Sequence, residues 1–109
     1  MMMVHVDRTR SATIVTVCGR VTIDSSPQLR AALLKLAEEQ AGAAISIDLS
    51  EVSYMDSSGI ATVLEALRSA QDHSIALRMV GVSGQVRMVM EATQLAEVFR
   101  ASGSEVVFR

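Results

Sequence analysis

The chain has 109 residues, 10 of them Lys or Arg and 12 Asp or Glu, for a formal net charge of −2, with 50% hydrophobic and 20% charged residues. That balance fits one compact domain over 1–109 and excludes a disordered chain, because so apolar a sequence with so little net charge can bury a core. The longest run free of charged side chains, between Arg10 and Arg20, encloses nine residues, far short of the ~20 that a membrane-spanning helix needs.

Val4 and Val6 alternate with His5 and Asp7, the period-two pattern of a half-buried strand. Thr13–Cys18 is apolar on both faces, Ile14 and Cys18 against Val15 and Val17, and predicts a more central strand reached by a turn at Arg8–Ser11. Ser25-Ser26-Pro27 then reads as a helix start, with Ser26 as N-cap and Pro27 at the first helical position. Leu29, Leu33, Leu36 and Gln40 follow at helical spacing until Gly42 ends the helix.

Ala44–Leu49 alternates again, with Ile45, Ile47 and Leu49 on one face. A loop leads from it to a second helix, where Ile60, Val63, Leu64 and Leu67 face inward and Ala61, Thr62, Glu65 and Arg68 face outward. Ile75–Met79 is a further strand, and Ser83 caps a third helix with Val86, Val89 and Met90 inward. A weak strand is expected near Val98–Arg100, and Glu105–Phe108 fits either a strand extension or a last helix.

Strands alternating with helices imply parallel pairing through crossovers. Helices on both faces would make the strands continuous apolar runs, whereas most of these alternate. The expected fold is therefore α/β, a mixed four- to five-stranded sheet with an antiparallel opening hairpin and helices packed mainly on one face.

The segment Asp48–Ile60 runs from the carboxyl end of a strand to the amino end of a helix, where parallel α/β sheets place working residues. Asp, Ser and Gly are also ordinary helix-start residues whose side-chain oxygens accept unpaired backbone N–H groups, so spacing alone leaves capping and function both open. Val52-Ser53-Tyr54-Met55-Asp56-Ser57-Ser58-Gly59-Ile60, preceded by Ile47-Asp48-Leu49-Ser50, resembles the hallmark segment of STAS domains of the anti-sigma factor antagonist type. Cys18-Gly19-Arg20-Val21 sits where that family closes its second strand, and Val86–Met90 through Leu95–Phe99 resembles its third helix and final strand.

The resemblance implies a STAS-like fold and a phosphorylation site at Ser57, modified by a partner that is both serine kinase and anti-sigma factor and reset by a phosphatase. It implies partner contacts at Asp56, Ser58 and Gly59, and the outward face of the second helix adds Ala61, Thr62 and Glu65. Thr22 and Asp24 are expected partner contacts too: the family commonly has an acidic residue where Thr22 stands, and Asp24 lies two residues on as its substitute. That departure leaves room for a constitutive STAS subunit that binds the ATPase of a lipid-transporting ABC system.

The remaining residues carry less. Aromatics at 3% and no basic stripe argue against nucleic-acid binding. Cys18 cannot form an internal disulfide and reads as a small core residue. His5 and His73 read as surface residues without a paired nucleophile, and Gly81-Val82-Ser83-Gly84 as a turn and cap. Asp48 and Asp56 lack a third carboxylate at useful spacing, so no metal, cofactor or catalytic role is expected. No secretory segment follows Met1–Met3, and a cytoplasmic location without membrane insertion is expected.

Overall fold

A computed structural model describes residues 2–9 and 12–108. Its elements in chain order are β1 (Met2–Arg8), β2 (Ala12–Val21), α1 (Ser26–Glu39), β3 (Ala44–Met55), α2 (Ser57–Asp72), β4 (Ala76–Val82), α3 (Gly84–Ala92), α4 (Leu95–Ala101) and β5 (Glu105–Phe108). They form one five-stranded sheet in the order β1-β2-β3-β4-β5, with β1 antiparallel to β2 and the other pairs parallel.

This order explains the one-sided layering expected from the alternation. Parallel crossovers share one hand, so a chain stepping in a single direction across the sheet leaves its helices on the same face. Val15, Val17, Ile45, Ile47, Leu49, Leu77 and Met79 are buried on the covered face, together with Leu29 and Leu33 of α1, Val63 and Leu67 of α2, and Val86 and Met90 of α3. On the other face Ile14 and Arg78 are exposed and Thr16, Cys18 and Ser46 half-buried.

Several expectations are corrected. Only one face of Thr13–Cys18 is buried, because no helix crosses to the side where Ile14 and Cys18 lie; Cys18 is therefore not a core residue. Of the expected turn at Arg8–Ser11, Arg10 and Ser11 lie outside the described residues, while Thr9 donates its N–H to the Ala12 carbonyl at 2.8 Å. Helix α1 takes Ser25 rather than Ser26 as its N-cap, so Pro27 falls one residue into the helix. The Ser25 Oγ does not cap, since it accepts the Thr22 N–H at 2.9 Å and donates to the Arg20 carbonyl at 2.8 Å.

The segment Ser50–Met55, expected as a loop, continues β3. Register shifts against β2, between Thr16 and Cys18 and between Gly19 and Arg20, move the buried positions from Ile45, Ile47 and Leu49 to Val52 and Met55. Such bulges break the period of two and make a strand read as irregular. Asp48 supports the first of them by accepting the Ser50 N–H at 2.9 Å.

Val98–Arg100 belongs to α4 rather than to a strand. Leu95 and Phe99, four apart, are both buried as helical spacing requires, and Gln94 at φ 56 turns the chain out of α3. The last strand is Glu105–Phe108, parallel to β4, with Arg78 and Glu105 opposite each other and ion-paired.

Candidate functional site

Strand β3 ends at Met55, and the next residue, Asp56, is the N-cap of α2 in extended conformation. Its Oδ1 accepts the N–H groups of Ser58 at 2.9 Å and Gly59 at 3.2 Å, two of the donors that every helix start leaves unpaired. Its Oδ2 accepts the Ile23 N–H at 3.2 Å, and its own N–H donates to the Val21 carbonyl at 3.1 Å. One carboxylate thus ties the start of α2 to the loop between β2 and α1.

That tie brings Thr22 and Asp24 beside the segment Asp56–Gly59. Thr22 is half-buried, its N–H held by Ser25, and Asp24 is exposed. Of the four motif residues only Ser57, the first residue of α2, is exposed; Asp56 and Ser58 are half-buried and Gly59 is buried. Gly59 lies where α2 crosses close to the sheet: a Cβ there would overlap the Met55 side chain and meet Val21 Cγ1 at 3.0 Å.

Two expected surface residues of α2 are placed differently. Thr62 is 5% exposed rather than outward, because α1 packs alongside α2 and covers it. Its hydroxyl is satisfied by donating to the Ser58 carbonyl at 2.9 Å. Gly59 is likewise unavailable to a partner's side chains. Ala61 stays exposed, and Glu65 is half-buried and ion-paired with Arg30 of α1 across a shallow groove lined also by Ser26, Pro27 and Ser58.

No motif or period in the sequence singles out Gln85 or Ile23. The Gln85 amide accepts the Met55 N–H at 2.8 Å and donates to the Met55 carbonyl at 2.9 Å, completing the backbone pairing of β3. It stands in for a strand neighbour, since β4 pairs with β3 only as far as Asp48 and Val80. Nothing in the local pattern marks it, because the contact joins residues 30 apart. Ile23 is 71% exposed, and its only mark in the sequence is an apolar residue between Thr22 and Asp24, outside any helical or strand period.

Other polar groups lie elsewhere. His73 is half-buried at the far end of α2, with Nδ1 2.7 Å from the Ser69 carbonyl, and His5 is exposed on β1. Partial burial, then the Glu51 carboxylate 3.6 Å from Sγ, pushes the Cys18 thiol above its ordinary range, which disfavours a thiolate nucleophile. Among the described residues no group of three or more His, Cys, Asp or Glu is arranged to hold a metal ion, and no helix is long and apolar enough to cross a membrane.

Comparison with known proteins bears on this geometry. Residues 3–107 match the STAS-domain family model. The chain is 29% identical over 91 residues to the anti-sigma-B factor antagonist of Listeria monocytogenes, spanning 84% of this chain and 79% of that protein. It is 30% identical over 88 residues to the anti-sigma-B factor antagonist of Bacillus subtilis, spanning 81% and 79%. The fold superposes with a TM-score of 0.73 on the Bacillus cell-fate determinant SpoIIAA in its phosphorylated form, at 19% identity, over 98% of this chain and 91% of that one.

Proposed function

The chain belongs to the STAS-domain family, and we propose that within it the protein is an anti-sigma factor antagonist whose binding is controlled by phosphorylation of Ser57. Unphosphorylated, it binds an anti-sigma factor with serine kinase activity; phosphorylated, it releases that partner until a phosphatase resets it. The chain itself is a binding regulator rather than an enzyme. The observation that carries this reading is the exposure of Ser57 between neighbours that are tied down, so that a kinase reaches this hydroxyl without disturbing the helix start.

Charge explains how the modification acts. A phosphate adds about −1.5 to −2 charges at a helix N-terminus, where the dipole favours anions. The Ser58 and Gly59 N–H groups are already taken by Asp56, so they offer the phosphate no new hydrogen bonds. The dianion therefore gains nothing from these two groups, and its cost falls on the partner surface as repulsion and desolvation.

Intact-mass spectrometry of the protein from its native cell, with the modified peptide mapped, tests the proposal. The expected result is an addition of ~80 Da on Ser57 and a copurifying serine kinase. An unmodified Ser57 across growth conditions, with an ABC-type ATPase copurifying instead, would replace the switch by a constitutive subunit, the alternative that Thr22 in place of an acidic residue leaves open.

A further inference from the structure

We propose that Ile23 is the apolar anchor by which the chain docks on the protein that phosphorylates Ser57, its side chain entering a pocket of that partner at a position fixed relative to Ser57 by the Asp56 carboxylate. This inference rests on the switch reading above and adds to it the contact that supplies affinity.

Isolated exposed hydrophobic residues are ordinary on protein surfaces and need no explanation by themselves. Ile23 differs in three respects. It is the most exposed large apolar side chain among the described residues, at 71%. Its loop is nevertheless firmly held: Asp56 accepts its N–H, the Ser25 hydroxyl accepts the Thr22 N–H, and the Ser25 and Ser26 N–H groups both donate to the Thr22 carbonyl, at 3.1 and 2.7 Å. An apolar side chain displayed on a pre-organised backbone loses little conformational freedom on binding, which is what an anchor requires.

The third respect is position. The acceptor that fixes Ile23 also caps the helix that Ser57 begins, so the two residues are presented as a unit. Beside Ser57 the surface of α1 and α2 is small or charge-neutral, with Ala61 and Pro27 exposed and Arg30 and Glu65 neutralising each other, while the exposed Asp24 carboxylate flanks Ile23. The proposed partner covers Ile23 as it approaches Ser57, and the pocket that receives it is apolar and sits beside the partner's phosphate-transfer site. A dianion at Ser57 then places an unmatched charge beside that pocket, where the docked partner would strip its water.

The test titrates the purified kinase that modifies Ser57 with the full-length chain and its variants by calorimetry. Truncating an anchor is expected to weaken binding about tenfold for I23A and more for I23D, while Met88→Ala, which trims an equally exposed side chain on α3, changes Kd less than twofold. Thermal midpoints of the variants are expected to match the parent, because Ile23 packs little against the fold. Parental affinity of I23A and I23D for a kinase that still modifies Ser57 would overturn the anchor and leave the switch standing. Concentration-dependent dimerisation abolished by I23D, with unchanged kinase affinity, would overturn it too and assign Ile23 to a second copy of the chain. A Ser57 that no kinase modifies removes the switch reading and the anchor with it.

Discussion

Asp56 shows how one residue can fix two surfaces. Its Oδ1 holds the Ser58 and Gly59 N–H groups and its Oδ2 holds the Ile23 N–H, so the two duties are separable by chemistry. Asparagine caps a helix about as well as aspartate, yet its second atom is a donor and cannot accept from Ile23. Asp56→Asn is therefore expected to keep α2 and the thermal midpoint nearly intact while raising amide exchange at Ile23 about tenfold or more. Asp56→Ala should also lose about 1 kcal/mol of cap stability. Exchange at Ile23 unchanged in D56N, measured by NMR, would mean that the loop is held without the carboxylate.

At the scale of elements, the end of β3 depends on a side chain from α3. Gln85 satisfies both backbone groups of Met55, one residue before the cap of α2. Its removal leaves a partly shielded N–H and C=O without partners, which costs about 1–3 kcal/mol. Gln85→Ala should accordingly lower Tm by about 4 °C or more in a domain of this size, with exchange rising first at Met55 and Asp56. A loss confined to α3 would show that the amide serves that helix and not the site.

The elements also divide into those that were legible in the sequence and those that were not. Strands β1 and β4 and the inward stripes of α1 and α2 follow from period alone, because each buries one face against a single layer. The second half of β3 escaped because bulges shift its buried positions from Leu49 to Val52 and Met55. Helix α4 escaped because seven residues are too few to establish a period, and Val98 and Phe99 favour a strand locally. The site motif was legible as a segment, but the burial of Thr62 was not, since it depends on α1 lying beside α2. Gln85 and Ile23 acquire their roles from contacts 30 and 33 residues apart, which no local pattern encodes.

For the whole molecule, the single-direction strand order gathers the carboxyl ends of β2, β3 and β4 on one edge. There the turns at Thr22–Ser25, Asp56 and Ser83 precede α1, α2 and α3. The opposite edge, with Asp7, Ala12, Ala44, Ala76 and Glu105, is joined to the site through the strands of the sheet and through α1 and α2, whose far ends reach it at the Arg8–Glu39 ion pair and at the bond from the Gly42 N–H to the His73 carbonyl. Strands and helices share one close-packed apolar core, which resists small continuous deformation, and a relay needs a second discrete arrangement. Phosphorylation of Ser57 is therefore expected to act locally. Phosphoserine installed at position 57 should move amide shifts at Val21–Ser25, Asp56–Ala61 and Ser83–Gln85, and leave Asp7, Ala12, Ala44, Ala76 and Glu105 within error. Because the charge meets a helix N-terminus at an exposed position, Tm should change by no more than the few degrees that ~1 kcal/mol produces. Shifts spreading to the opposite edge would identify a conformational relay through the sheet, and the partner would then be reading a changed fold rather than a charge and an exposed isoleucine on an unchanged one.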